Sequence, residues 1–172
     1  MNLKKAIIYY SRADENYFGG TYRIIKEGNT EKVARMIADI AGADLIKLEQ
    51  KIPYPKRYKE CIEAAKKDKQ TNARPELVKI PDIKDFDEIY LGYPNYWGTM
   101  PMAVYTFLES VDLTNKIIHP FCTHEGSGLS QTESDIQACA KQAIVTKGLS
   151  ITGSHADSSR LQVMEWIMSL QT

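Results

Sequence analysis

The sequence is short of nearly everything that would tie it to a polyanion, a membrane or a metal. Lysine plus arginine and aspartate plus glutamate number 22 each in 172 residues, so net charge gives no long-range attraction to nucleic acid or an anionic surface. No basic run carries the interleaved aromatics of a nucleic-acid groove. No apolar run approaches the ~20 residues of a membrane-spanning helix. The opening residues lead into a run of five, Ala6–Tyr10, too short for a signal-peptide core. Cysteine is scarce: Cys61, Cys122 and Cys139 are widely spaced, odd in number and without a CxxC pair, as expected of free thiols in a cytoplasmic protein. His119, His124 and His155 lack metal-ligand spacing.

Several reaction motifs are missing as well. There is no Gly-x-x-x-x-Gly-Lys-Ser/Thr segment and no complete Gly-x-Gly-x-x-Gly after the first strand, which excludes the usual ATP and dinucleotide cradles. His124-Glu125 lacks the second histidine of a zinc-peptidase helix. Gly126-Ser127-Gly128 is one residue too tight for a hydrolase nucleophile elbow. A mononucleotide suits the remaining signals better than ATP or NAD.

What is present is alternation. Ala6–Tyr10 is a continuous apolar run, as in a strand covered on both faces. Val33, Met36, Ile37 and Ile40 follow at helical spacing, and Gly42 ends that helix. Leu45, Ile46 and Leu48 make a second strand, and residues 56–70 a charged surface helix. Residues 71–86 read as connection. Strand 88–92, helix 102–108, strand 117–122, helix 131–141, a short strand within 143–151 and helix 158–170 complete the order. This βα repetition predicts one domain, residues 1–172, with a parallel sheet between two helical layers. Pro120 conflicts locally, because proline removes a ladder donor from a strand.

In such a sheet, ligands bind beyond the carboxyl ends of the strands. After the first strand come Ser11 and Arg12, then Gly28-Asn29-Thr30 at a helix start. That triplet fits either a plain helix cap or a phosphate held on unpaired N–H groups. After the third strand, Tyr93–Thr99 carries no charge in a chain that is 26% charged. Its Tyr96 and Trp97 either plug the core or face a flat ligand. After the fourth strand, Thr123-His124-Glu125-Gly126-Ser127-Gly128 is either a mobile turn or a concavity of backbone amides.

Together, Tyr10-Ser11-Arg12-Ala13 with Gly28-Asn29-Thr30, Gly92-Tyr93-Pro94-Asn95-Tyr96-Trp97-Gly98 and Thr123–Gly128 resemble the flavodoxin family, in particular bacterial flavodoxin-like FMN-binding proteins. The resemblance implies an α/β flavodoxin-like three-layer sandwich. Its five-stranded parallel sheet would run in order 2-1-3-4-5, with FMN at the switch between strands one and three. It further implies that Ser11, Asn29 and Thr30 hold the FMN phosphate, with Arg12 and Gly28 beside them. Pro94, Asn95, Tyr96, Trp97 and Gly98 would line the flavin, with Tyr96 or Trp97 stacked on it. Amides within Thr123, His124, Glu125, Gly126 and Ser127 would meet its pyrimidine end. The function implied is electron transfer by a monomer or homodimer, with a redox partner protein or a small electron acceptor. The alternative is an FMN-dependent NAD(P)H reductase of quinones or similar acceptors. No catalytic side chain and no metal ligand is singled out.

Two features depart from that pattern. Asp14–Glu27 is inserted between Ser11 and Gly28, and its aromatics predict an excursion over the site or along the surface. The neutral balance also differs from the acidic character of electron-carrying flavodoxins and should ease formation of a reduced flavin anion. The segment 143–151 lacks the long insertion of long-chain members.

Overall fold

The computed structural model describes residues 2–172. Its core is a parallel sheet built from β1 (Lys5–Tyr9), β4 (Asp44–Lys47), β5 (Glu88–Pro94), β6 (Ile117–His124), β7 (Ile144–Val145) and β8 (Leu149–Thr152). The spatial order is β4-β1-β5-β6-β7, with β8 continuing along the outer side of β6. Taking β7 and β8 as one interrupted strand, the parallel strands run 2-1-3-4-5 in chain order, as expected. Between β1 and the first helix lies an antiparallel hairpin, β2 (Asp14–Phe18) and β3 (Thr21–Ile25), which stands apart from the main sheet. The insert is therefore a folded element of its own.

Side-chain alternation splits the interior into two layers. Ile7, Tyr9, Tyr90 and Phe121 face a cluster with Val33, Ala34 and Ile37 of α1 (Asn29–Ala41) and Val163, Trp166 and Ile167 of α5 (Arg160–Ser169). Ala6, Ile8, Leu91 and Tyr93 face the opposite cluster, with Ala103, Val104 and Phe107 of α3 (Met102–Ser110) and Ile136 of α4 (Thr132–Cys139). Burial on both faces explains the unbroken apolar runs of the central strands. α2 (Tyr58–Gln70) buries only Cys61 and Ala65. Gly42 closes α1 in the left-handed conformation, its N–H reaching Ala38 O.

Pro120 is accommodated by a change of neighbour. β6 pairs with β5 throughout, but on its outer side β7 meets only Ile117 and Ile118, whereas β8 begins at Phe121. The missing donor falls in the gap between the two. Gly92, opposite Phe121, is required by packing: a Cβ there would lie 2.1 Å from Phe121 Cζ.

At the amino end of β6, buried His119 accepts or donates at Nδ1 to Thr146 Oγ1 over 2.8 Å. Its Nε2 is 3.9 Å from Glu88, whose carboxylate also sits 3.8 Å from Lys5. Burial, aided by Lys5, outweighs that shared carboxylate and lowers the imidazole from 6.5 to about 4. The unfolded chain then binds a proton that the folded chain refuses. Stability should fall as pH drops from 6.5 towards 4, by up to roughly 3 kcal/mol, and this contribution should level off below that window. Urea unfolding across this range should show that dependence, and His119→Gln should flatten it.

Candidate functional site

A cleft of about 370 Å³ opens where β1, β5 and β6 end. It lies beside the β1/β5 junction, where strand order reverses. The three segments selected from sequence converge here. Ser11, Arg12, Asn29, Thr30, Pro94, Asn95, Tyr96, Trp97, Thr123, His124, Glu125 and Ser127 all line it. Gly28, Gly98 and Gly126 do not, and act through backbone geometry.

One end is an anion-ready helix start. The first-turn N–H groups of α1 have no intrahelical acceptors, and Ser11 Oγ takes one of them, from Glu31, at 3.0 Å. Because that oxygen accepts, the Ser11 hydroxyl hydrogen stays available to donate. Gly28 makes the approach feasible: a Cβ would sit 2.1 Å from Ser11 Oγ and 2.8 Å from Arg12 O. The buried hydroxyls of Thr30 and Thr123 lie 2.7 Å apart; two hydrogens and one shared bond leave one hydrogen to offer. Asn29 Oδ1 is buried without a partner among the described residues. Across the cleft, Glu125 accepts from Ser154 N at 2.7 Å and from Ser154 Oγ at 3.3 Å. Gly153 beside it leaves room for the Asn29 amide, which a Cβ would approach to 2.8 Å. Gly126 N–H is taken by His124 Nδ1 at 2.9 Å.

The other end is aromatic. Trp97 and Gly98 both have positive φ, 57° and 81°, and Tyr96 and Thr99 exchange N–H···O bonds of 2.8 and 3.2 Å around them. This is the geometry of a two-residue hairpin turn, normally filled by Asn-Gly or Asp-Gly. Tryptophan in a left-handed conformation carries a conformational cost. Asn95 braces the turn, accepting from Gly98 N and donating to Gly128 O and Ser130 Oγ, each at 2.9 Å. The turn directs Trp97 outward, 43% exposed. Its indole N–H donates to Ile62 O at 2.9 Å, and Lys66 Nζ lies 5.2 Å from the ring centroid. Tyr96 instead packs edge-on to Tyr10 and tilted on Tyr54. Tyr93, part of the same uncharged segment, is fully buried in the core.

Sequence reasoning missed a third wall. Asn16 and Tyr17 from β2, Tyr58, Cys61, Ile62 and Ala65 from α2, and Gly153 also line the cleft. Positions 58, 61, 62 and 65 form an i, i+3, i+4, i+7 stripe, a legible helical face hidden by the charge around it. Arg12 is what joins this wall to the rest. Its guanidinium donates to the carbonyls of Glu15, Pro55 and Lys56 at 2.5, 2.9 and 2.6 Å, clamping the hairpin to the segment before α2.

The lining is electrically quiet. Burial raises Tyr96, Tyr58 and Cys61, keeping them protonated near neutrality. Burial lowers His124, although adjacent Glu125 opposes the shift. The charges of Arg12 and Glu125 are both engaged in hydrogen bonds.

The sequence pattern that defines flavodoxin matches residues 21–170. The chain belongs to the flavodoxin family. Among solved structures, it is similar to a Bacteroides uniformis protein named as a flavoprotein, at 23% identity, covering 98% of this chain and 99% of that one with a TM-score of 0.76. A Bacteroides eggerthii protein of like name aligns at 19% identity over 99% of both chains, with a TM-score of 0.77. A Lactobacillus acidophilus flavoprotein, solved in complex with FMN, is 20% identical over 91% of this chain and 98% of that one, with a TM-score of 0.68. At these identities the likeness speaks for the flavodoxin fold. No curated protein matches the sequence. Among the described residues of this flavodoxin, no helix is long and apolar enough to cross a membrane.

The Thr30–Thr123 pair couples α1 to β6 beneath the cleft. Thr123→Val should strand a buried hydroxyl and cost roughly 1–3 kcal/mol. The double variant with Thr30→Val should cost less than the sum of the single changes. A double-mutant cycle by chemical unfolding checks this.

Proposed function

We propose that the cleft binds FMN and that the chain is an electron-transfer protein. The observation that carries this reading is the pairing, in one cleft whose two lining charges are already engaged, of a helix start rich in free donors with an outward-held tryptophan. The residues present fit the group. A phosphate would meet the Ser11 hydroxyl, the spare hydrogen of the Thr30–Thr123 pair and the first-turn N–H groups of α1, where partial positive charge favours an anion. Glu125, the one lining carboxylate, is already committed to Ser154. A hydroxyl-bearing chain next to the phosphate would satisfy the orphaned Asn29 Oδ1. The flat ring would rest on Trp97, since Tyr96 already spends its ring on Tyr10 and Tyr54. Bound there, FMN would supply reversible uptake of one or two electrons.

The chain's own contribution is to hold and tune. Arg12 and Asn95 fix the walls, the buried hydroxyls hold protons near the phosphate end, and the lining adds little negative potential. That last property favours a second reading, an FMN-dependent NAD(P)H reductase of small acceptors, because a weaker negative field eases formation of a reduced anion. The electron-transfer partner would be a redox protein or a small acceptor.

Anaerobic reduction of FMN-loaded protein, followed by NADPH addition, separates the two. Reduction in two resolved one-electron stages, with NADPH left unoxidised, supports the carrier. A single two-electron stage with fast NADPH-dependent quinone turnover supports the reductase. A chain that retains no flavin after reconstitution and dialysis overturns both.

Ser11→Ala should weaken FMN roughly tenfold or more while leaving riboflavin nearly unchanged, because a hydrogen bond to a charged group contributes about 1.5–3 kcal/mol. Trp97→Ala should weaken both ligands alike, by roughly 1–3 kcal/mol, if stacking resembles that of bases on aromatic side chains. Fluorescence titration with the two flavins reads both outcomes.

A further inference from the structure

The side of α2 turned away from the cleft carries charge of mainly one sign. Residues 56–70 hold six cations, Lys56, Arg57, Lys59, Lys66, Lys67 and Lys69, against three carboxylates. Each of the six cations is exposed, and none joins an ion pair among the described residues. Of the carboxylates, Asp68 accepts the Tyr54 hydroxyl at 2.6 Å and is half-buried, which leaves Glu60 and Glu63 as the exposed anions.

This basic face abuts the exposed edge of the proposed flavin platform. Lys66 Nζ stands 5.2 Å from the centroid of the Trp97 ring, and Lys69 Nζ donates to Trp97 O. α2 is 13 residues long, or about 20 Å of helix. Exposed charges more than about 8 Å apart are largely screened at physiological salt. A protein that approaches Trp97 therefore meets the local positive excess, although the chain as a whole is neutral.

The chemistry of the face selects its occupant. The shallow depression beside Lys66 and Lys67 also holds Glu63, which repels a free phosphate. Tyr58, the one aromatic residue of α2, lines the cleft, so the outward side offers no ring on which a nucleic-acid base could stack. Exposed charges at a rim add encounter rate and orientation more than affinity. That is the property a transient complex between redox proteins needs, because such complexes bury little area. Charge complementarity then sets the sign of the partner: it is acidic.

We propose that the outward face of α2, together with the exposed edge of Trp97, is the docking surface for an acidic one-electron redox protein. This role rests on the FMN reading above and specifies the partner by its charge. In the complex one electron passes between the partner's redox centre and the bound flavin, one being oxidised as the other is reduced, with no atom transferred. The neutral balance of the chain conceals a docking charge confined to one helix.

The test uses FMN-loaded protein and two probes, a plant-type [2Fe–2S] ferredoxin as the acidic carrier and a basic c-type cytochrome as its opposite. Affinity is read at low salt by calorimetric titration, and the contact surface by NMR shifts of backbone amides and the Trp97 indole N–H. Saturable ferredoxin binding is expected, with shifts confined to α2 and the Trp97 turn, and the cytochrome should bind about tenfold more weakly or not at all. Lys59→Glu combined with Lys67→Glu should weaken ferredoxin binding about tenfold or more, because like charges brought together at an interface are costly. The difference should vanish near 1 M salt, where the screening length falls to about 3 Å. Lys84→Glu combined with Lys141→Glu makes the same change in net charge beyond the amino ends of β5 and β7. That pair should alter affinity by no more than about twofold. None of these four lysines lines the cleft, so FMN affinity should be unchanged. If circular dichroism shows that the glutamate pair disturbs α2, Lys59→Gln with Lys67→Gln carries the test through a smaller fall. Stronger binding of the cytochrome, an equal response to the two lysine pairs, or capture of an RNA oligonucleotide by α2 in place of the ferredoxin overturns the proposal and leaves the FMN reading standing. Failure of the parent protein to take up FMN overturns the function itself.

Discussion

The site depends on one close approach: the bare Cα of Gly28 against Ser11 and the Arg12 carbonyl. Only because no Cβ stands there can Ser11 reach the first turn of α1 and accept the Glu31 N–H. The same contact draws together the two ends of the inserted hairpin, which leaves the chain after Arg12 and returns at Gly28. With its ends already joined, the excursion adds little closure entropy of its own. A helix start, a strand end and an aromatic wall thus share one anchor. A side chain at position 28 would disturb all three.

Much of this was legible in the sequence because it follows from local rules. The apolar runs of Ala6–Tyr10 and Glu88–Gly92 specify strands buried on two faces, and Gly42 marks a helix end by its conformation. The phosphate-end residues could be placed because the carboxyl ends of a parallel sheet collect ligands. The contribution of α2 was harder to see. Tyr58, Cys61, Ile62 and Ala65 form a proper helical stripe, but lysines and glutamates on either side gave the segment the look of a solvated surface helix. Two of the three partners of Arg12 lie 43 and 44 residues away, and no local pattern announces a clamp of that span. The role of Gly153 was likewise hidden, since the asparagine it admits is 124 positions earlier.

The aromatic segment shows how one composition can serve opposite tasks. Tyr93 is core, Tyr96 is the bridge from core to cleft, and Trp97 alone is turned outward by two consecutive left-handed residues. Uncharged sequence therefore signals neither burial nor exposure here. Backbone conformation decides it. Asn95, the least conspicuous member of the segment, settles the orientation by tying the turn to the loop after β6 on one side and to Gly98 on the other.

The break at Pro120 has a consequence beyond accommodating a proline. Because β7 and β8 are two and four residues long with a gap between them, the outer margin of the sheet offers no continuous row of unpaired amides and carbonyls. Another strand approaching that margin would find a template too short to hold it. The irregularity that interrupts the last strand also keeps a neighbour's strand from extending the sheet along that margin.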